Sequence, residues 1–135
     1  MEVKFVPSVC SYCGTGCGVL FQVIDGELVS TLPLKTHPVN QGKLCIKGWN
    51  LHEYITSYMR LKHPLVKVFG RFIRSGWEEV IQLTVERLKE VVDRYGPDSV
   101  GVLVSAKITN EENYLAQKFA RAVIGTNNVD HCARL

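Results

Sequence analysis

The chain has 135 residues, 46% of them hydrophobic and 21% charged, with a net charge of +3. That suffices for one domain with a core, or for a small domain and the beginning of a second, and it excludes a disordered tail. The small charge, mixed in sign along the chain, excludes a polybasic surface for nucleic acid or membrane, and no window approaches the roughly eighteen apolar residues of a membrane span.

The opening stretch "MEVKFVPSVC" has neither a twin-arginine pair nor the apolar core of a signal peptide, so a cytoplasmic location is expected. Thiols are kept reduced there. An odd total of five cysteines therefore points to metal or redox ligands rather than a disulfide frame. Three of them stand in "CSYCGTGC", as Cys10, Cys13 and Cys17. Gly14, Gly16 and Gly18 allow this loop to fold tightly and bring backbone N–H groups near whatever the sulfurs hold.

Next comes "LFQVI-DG-ELVSTL", two β-prone runs about Asp25-Gly26, which predicts an antiparallel hairpin with a type I′ turn. The segment "LKTHPVNQGKLCIKG" reads as a loop that carries Cys45 back toward the first three thiols. Zinc sites usually pair two close dyads, or a dyad with two histidines. A close triad plus one distant cysteine suits a cuboidal [4Fe–4S] cluster better, because each thiolate reaches a different iron corner. A zinc-binding interaction module remains the alternative at this point. His37, His52, His63 and His131 are scattered and read as surface or core histidines. Lys47, in "CIKG", is either a solvent lysine or a cation bridging the cluster and a partner cofactor.

Residues 1–60 and 61–135 differ in pattern. The second part begins near "RLKHPLVKVFGRFIRSG", a possible short hairpin about Gly70. Trp77, Val80, Ile81, Leu88, Val91, Val92 and Tyr95 then recur at helical spacing up to Gly96-Pro97. "SVGVLVSA" is expected as a strand buried on both faces. Thr109 and Glu112 stand in capping-box spacing before a second helix, whose buried stripe is expected at Leu115, Phe119, Ala122 and Val123, with Gly125 closing it. "NNVDH" is the next strand, completing β-α-β with a right-handed crossover. The fold class expected is thus α+β to α/β: a small β-rich N-terminal cluster domain followed by the start of a parallel-sheet α/β domain.

The residues "CSYCGTGCGV", "NQGKLCIKGWNLHEYI", "RLKHPLVK", "GWEEVI" and "YGPDSVGVLVSAKITNEENYLAQKFARAVIGTNNVDHCARL" resemble the N-terminal region of molybdopterin-dependent formate dehydrogenase catalytic subunits. These belong to the molybdenum or tungsten bis-molybdopterin-guanine-dinucleotide (bis-MGD) oxidoreductases. The resemblance implies that Cys10, Cys13, Cys17 and Cys45 hold a [4Fe–4S] cluster and that Lys47, between cluster and pterin, assists electron transfer. It implies reversible oxidation of formate to carbon dioxide, with electrons passing to an iron–sulfur, flavin or hydrogenase-type partner subunit. Ser105, Ala106 and Lys107, beyond the carboxyl end of a strand, are candidates to face the pterin or its phosphates, with a solvated loop lysine as the other reading of Lys107. A block similar to "GTNNVDHCARL" is followed in that family by a selenocysteine or cysteine that ligates the metal. The expectation is that a UGA selenocysteine codon follows Leu135, with simple fragmentation as the rival, and that Cys132 is no ligand. Another molybdopterin oxidoreductase, such as a nitrate reductase, and a stand-alone iron–sulfur carrier are the alternative functions.

Overall fold

The computed structural model describes residues 1–132. Ala133 to Leu135, the end of the closing block, and the expectation about the codon beyond them lie outside the described residues. The chain forms two compact units, one gathering Met1–Arg60, Val104–Leu115 and the chain from His131, the other Leu61–Leu103 and Ala116–Asp130.

The first unit is built on an antiparallel sheet of β1 (Val3–Val9), β2 (Gly18–Ile24) and β3 (Glu27–Pro33), in that spatial order. The β2–β3 turn is the expected one: Asp25 and Gly26 both have positive φ, 48° and 88°, as a type I′ turn demands. Strand β1 was not anticipated, because Pro7 interrupts its β-prone run. It is tolerated at a sheet edge, where one side of the strand has no ladder to donate to. A loop follows β3 and ends at Cys45, after which come two short helices, α1 (Ile46–Trp49) and α2 (Leu51–Thr56). The core of this unit is Cys10, Val19 and Leu51, packed against Tyr12, Cys17, Phe21, Leu44 and Ile55. Two thiols of the triad are therefore core residues.

In the second unit, β4 (Leu65–Val68) and β5 (Arg71–Arg74) form the short hairpin, turning on Phe69 and Gly70 at φ 47° and 80°. Helix α3 (Trp77–Tyr95) matches its predicted span and stops at Gly96, whose N–H makes the last helical bond to the Val92 carbonyl at 2.8 Å and whose positive φ of 82° turns the chain out of the helix. Val80, Leu88, Val91 and Val92 form its half-buried edge, while Trp77, Ile81 and Tyr95 are exposed.

Strand β6 (Val102–Ser105), helix α4 (Asn110–Phe119) and strand β7 (Val129–Cys132) give the expected β-α-β order. The bonds Val102 N–H to Asn128 O, 2.8 Å, and Ala106 N–H to Cys132 O, 3.3 Å, advance in one direction along both strands, so β6 and β7 are parallel. Two expectations need correction. Leu103 is 84% exposed, so β6 is not covered on both faces among the described residues. On α4, Leu115, Phe119, Ala122 and Val123 are exposed and the buried positions are Ala120 and Ile124. The helix ends in a wider π turn, Ala120–Ile124, with Gly125 N–H bonded to Ala120 O at 2.9 Å. An i→i+5 turn advances the phase by a residue, which moves the inward position from Val123 to Ile124; Leu115 and Phe119 lie before that turn and are exposed for a reason the helix itself does not supply. No helix of the described residues is long and apolar enough to cross a membrane.

Candidate metal centre

The loop between β1 and β2 carries the cysteine triad. Its base is closed by the Cys10 N–H bonded to the Cys17 carbonyl at 2.8 Å, and its tip turns at Gly16, where φ is 65°. Gly18 starts β2 buried beneath the His37 ring, and a Cβ there would meet that ring at 2.4 Å. Asn40, buried to 8% exposure, ties this loop to the one bearing Cys45. Its Oδ1 accepts the Gly18 N–H at 2.8 Å, and its Nδ2 donates to the carbonyls of Gly18, 3.1 Å, and Lys43, 2.9 Å. Sequence reading gave Asn40 no role. The only local sign was the turn it opens, through left-handed Gln41 and Gly42 at φ 45° and 80°.

The four thiols share one electrostatic neighbourhood. Burial raises the Cys10 pKa above the ordinary thiol value, with Cys13 and Cys45 adding like-charge repulsion. Burial also raises that of Cys17, and Cys10, Cys13 and Cys45 all contribute. Cys13 moves the other way: the Thr15 hydroxyl, whose Oγ1 lies 3.3 Å from its sulfur, and the Thr15 backbone N–H stabilise its thiolate, with Lys107 and Lys47 adding positive charge. Among the described residues, no three His, Cys, Asp or Glu side chains converge as ligands of a single metal ion. A cuboidal cluster asks for something else, a thiolate at each of four separate corners with N–H groups aimed at sulfur. Cys10, Cys13, Cys17 and Cys45 fit that requirement in number, grouping and hydrogen bonding. Cys132 is exposed on β7.

Lys47 sits in α1, two residues after Cys45, with its Nζ 5.0 Å from the centroid of the Tyr12 ring inside the cysteine loop. Lys107 is in the turn between β6 and α4, where its N–H bonds the Ser105 hydroxyl at 3.0 Å. Both charges thus reach Cys13. Of the histidines, His37 packs on Gly18 with a buried Nδ1 that has no partner, and His52 bonds Thr31 Oγ1 through its ring and its backbone N–H. Neither joins the cysteines.

Comparison with known proteins agrees with this geometry. Residues 3–57 match the family model described as "Molybdopterin oxidoreductase Fe4S4 domain", and residues 60–135 match the one described as "Molybdopterin oxidoreductase". The chain is 52% identical over its whole length to F420-dependent formate dehydrogenase 1 subunit alpha of Methanococcus maripaludis, and covers 19% of that protein. It is 44% identical, again over its whole length and 19% of the relative, to the F420-dependent formate dehydrogenase subunit alpha of Methanocaldococcus jannaschii. Among solved structures, acetylene hydratase from Pelobacter acetylenicus is similar with a TM-score of 0.74 and 26% identity, over 93% of this chain and 18% of that one. The chain spans about a fifth of the length of the curated relatives it matches.

Proposed function

The chain belongs to the molybdopterin oxidoreductases, and from that premise we propose that it is the cluster-bearing part of a formate dehydrogenase catalytic subunit. Residues 1–60 would form the cluster domain and 61–135 the beginning of the α/β cofactor domain; the family matches at 3–57 and 60–135 support that division. The observation that carries the reading is the grouping of Cys10, Cys13, Cys17 and Cys45, two of them in the core, within a chain half identical to formate dehydrogenase subunits. Similar architecture in an acetylene hydratase shows that fold does not choose the reaction, so the substrate rests on the sequence relatives.

When bound, the cluster would supply one-electron storage, and molybdenum or tungsten on bis-MGD would supply the two-electron chemistry that formate oxidation to carbon dioxide and a proton requires. The chain's own residues hold and bias this outlet. The thiolates of Cys10, Cys13, Cys17 and Cys45 would hold the cluster, Cys10 from a buried position packed with Val19 and Leu51. Lys47 acts as the electron relay by setting a positive charge beside anionic redox groups, and Lys107 supplies a second such charge and a contact for the pterin phosphates. The electrons pass to an iron–sulfur, flavin or hydrogenase-type subunit. Five unpaired cysteines suit a reducing, cytoplasmic setting.

Anaerobic purification of the full-length protein tests the reading. About four irons per cluster site, molybdenum or tungsten, and formate-dependent reduction of a viologen dye are expected. Zinc in place of iron, or a fully loaded protein inert toward formate, would overturn it.

A further inference from the structure

The turn between β6 and α4 reaches the cysteine loop through the side chain of Asn110. Asn110 Nδ2 donates to the Gly14 carbonyl at 2.8 Å, across a separation of 96 residues. The approach is close enough that a Cβ on Gly14 would lie 2.4 Å from Asn110 Oδ1 and 3.2 Å from its Cγ. Gly14 is thus needed for intimacy with Asn110, beyond any need for a tight loop.

Asn110 is free to do this because the start of α4 is already capped. The Thr109 N–H bonds Glu112 Oε2 at 2.8 Å, and the Glu112 N–H returns to Thr109 Oγ1 at 3.2 Å. An asparagine at a helix start usually serves the helix's own unpaired N–H groups. Here those duties are met by its neighbours. The turn is also stiff: Ser105 Oγ accepts the Lys107 N–H at 3.0 Å, and Asn113 Nδ2 donates to the carbonyls of Ser105, 3.3 Å, and Thr109, 3.2 Å.

What the clamp holds is a peptide plane. The Gly14 carbonyl and the Thr15 N–H belong to one planar, trans unit and point to opposite sides. Asn110 grips the carbonyl, while Thr15, whose N–H lies on the far side of that peptide, sets its Oγ1 3.3 Å from the Cys13 sulfur. Hydrogen bonds to cluster sulfurs favour the reduced, more negative state, so the aim of that N–H bears on potential. We propose that Asn110 is a positioning residue for the cluster: by gripping the Gly14–Thr15 peptide it keeps Thr15, its hydroxyl and its N–H, turned to the Cys13 sulfur and holds the cluster's reduction potential up. The inference rests on the cluster assignment above and deepens it.

The test uses the full-length protein, purified anaerobically with its cluster. Asn110→Leu keeps the side chain's size and removes the donor. It should retain iron and secondary structure, exchange the Thr15 amide faster, alter the EPR signal of the reduced cluster, and lower the midpoint potential enough to leave about threefold less reduced cluster at the wild-type midpoint. Gly14→Ala, which must push Asn110 aside, should give a similar shift. In the Asn110→Ala background, Gly14→Ala should add nothing further, because the atoms it would strike are gone. An Asn110→Leu protein with wild-type potential and EPR signal would overturn the clamp while leaving the cluster assignment standing, as would additive shifts in the Gly14→Ala, Asn110→Ala pair. A wild-type protein without iron would instead overturn the cluster assignment, and the clamp with it.

Discussion

Asn40 joins the two cysteine loops through hydrogen bonds to their backbones. Its amide satisfies both backbone groups of Gly18 and the carbonyl of Lys43 from a buried position. Asn40→Ala leaves the buried Gly18 N–H without its acceptor, while the Gly18 carbonyl keeps the Leu34 N–H at 3.0 Å, and should cost about 2 kcal/mol in urea unfolding. Lys47 works by charge instead. It is exposed, so removing it should leave folding and iron content alone. Lys47→Met should slow cluster reduction roughly five- to tenfold in stopped-flow experiments, with an effect that shrinks at high salt. Unchanged rates would count against its relay role. The cysteines were legible because a thiol's chemistry and spacing are written in the residues themselves. Asn40 and Asn110 were not, since an amide takes its meaning from partners 22 and 96 residues away.

Elements were read well wherever their cause is local. Both hairpins turn at a glycine with positive φ, Gly26 and Gly70, and α3 runs from Trp77 to the Gly96 that ends it. The Thr109–Glu112 capping box, visible as spacing, is present as reciprocal bonds. Thr109→Ala should therefore destabilise the start of α4 by about 1 kcal/mol, seen as faster amide exchange of Glu112. By the clamp argued above, it should also disturb Asn110. The misreadings have nonlocal or subtle causes. Strand β1 exists because β2 offers it a ladder despite Pro7, and a π turn at the end of α4 moved the inward position from Val123 to Ile124.

At the scale of the molecule, the first unit places Cys10 and Cys17 in its small core. A small module of this kind relies on what it binds for much of its stability. Removing iron should lower protection of the Gly18 and Leu34 amides by about tenfold or more in hydrogen exchange, while those of α3, in the other unit, keep theirs. Equal loss in both units would argue that the cluster is not a local staple. Apolar positions such as Leu103 lie open in a chain that spans a fifth of its curated relatives. By itself the sequence determined the cluster chemistry, the family likeness, the hairpins, the main helix and the β-α-β order, because each depends on residue identity or short-range periodicity. Only tertiary structure decided which polar side chains bind the cysteine loop into place. It also decided that two of the thiols double as core, and that the turn before α4 grips the Gly14 peptide, because these depend on distances between residues far apart in the chain.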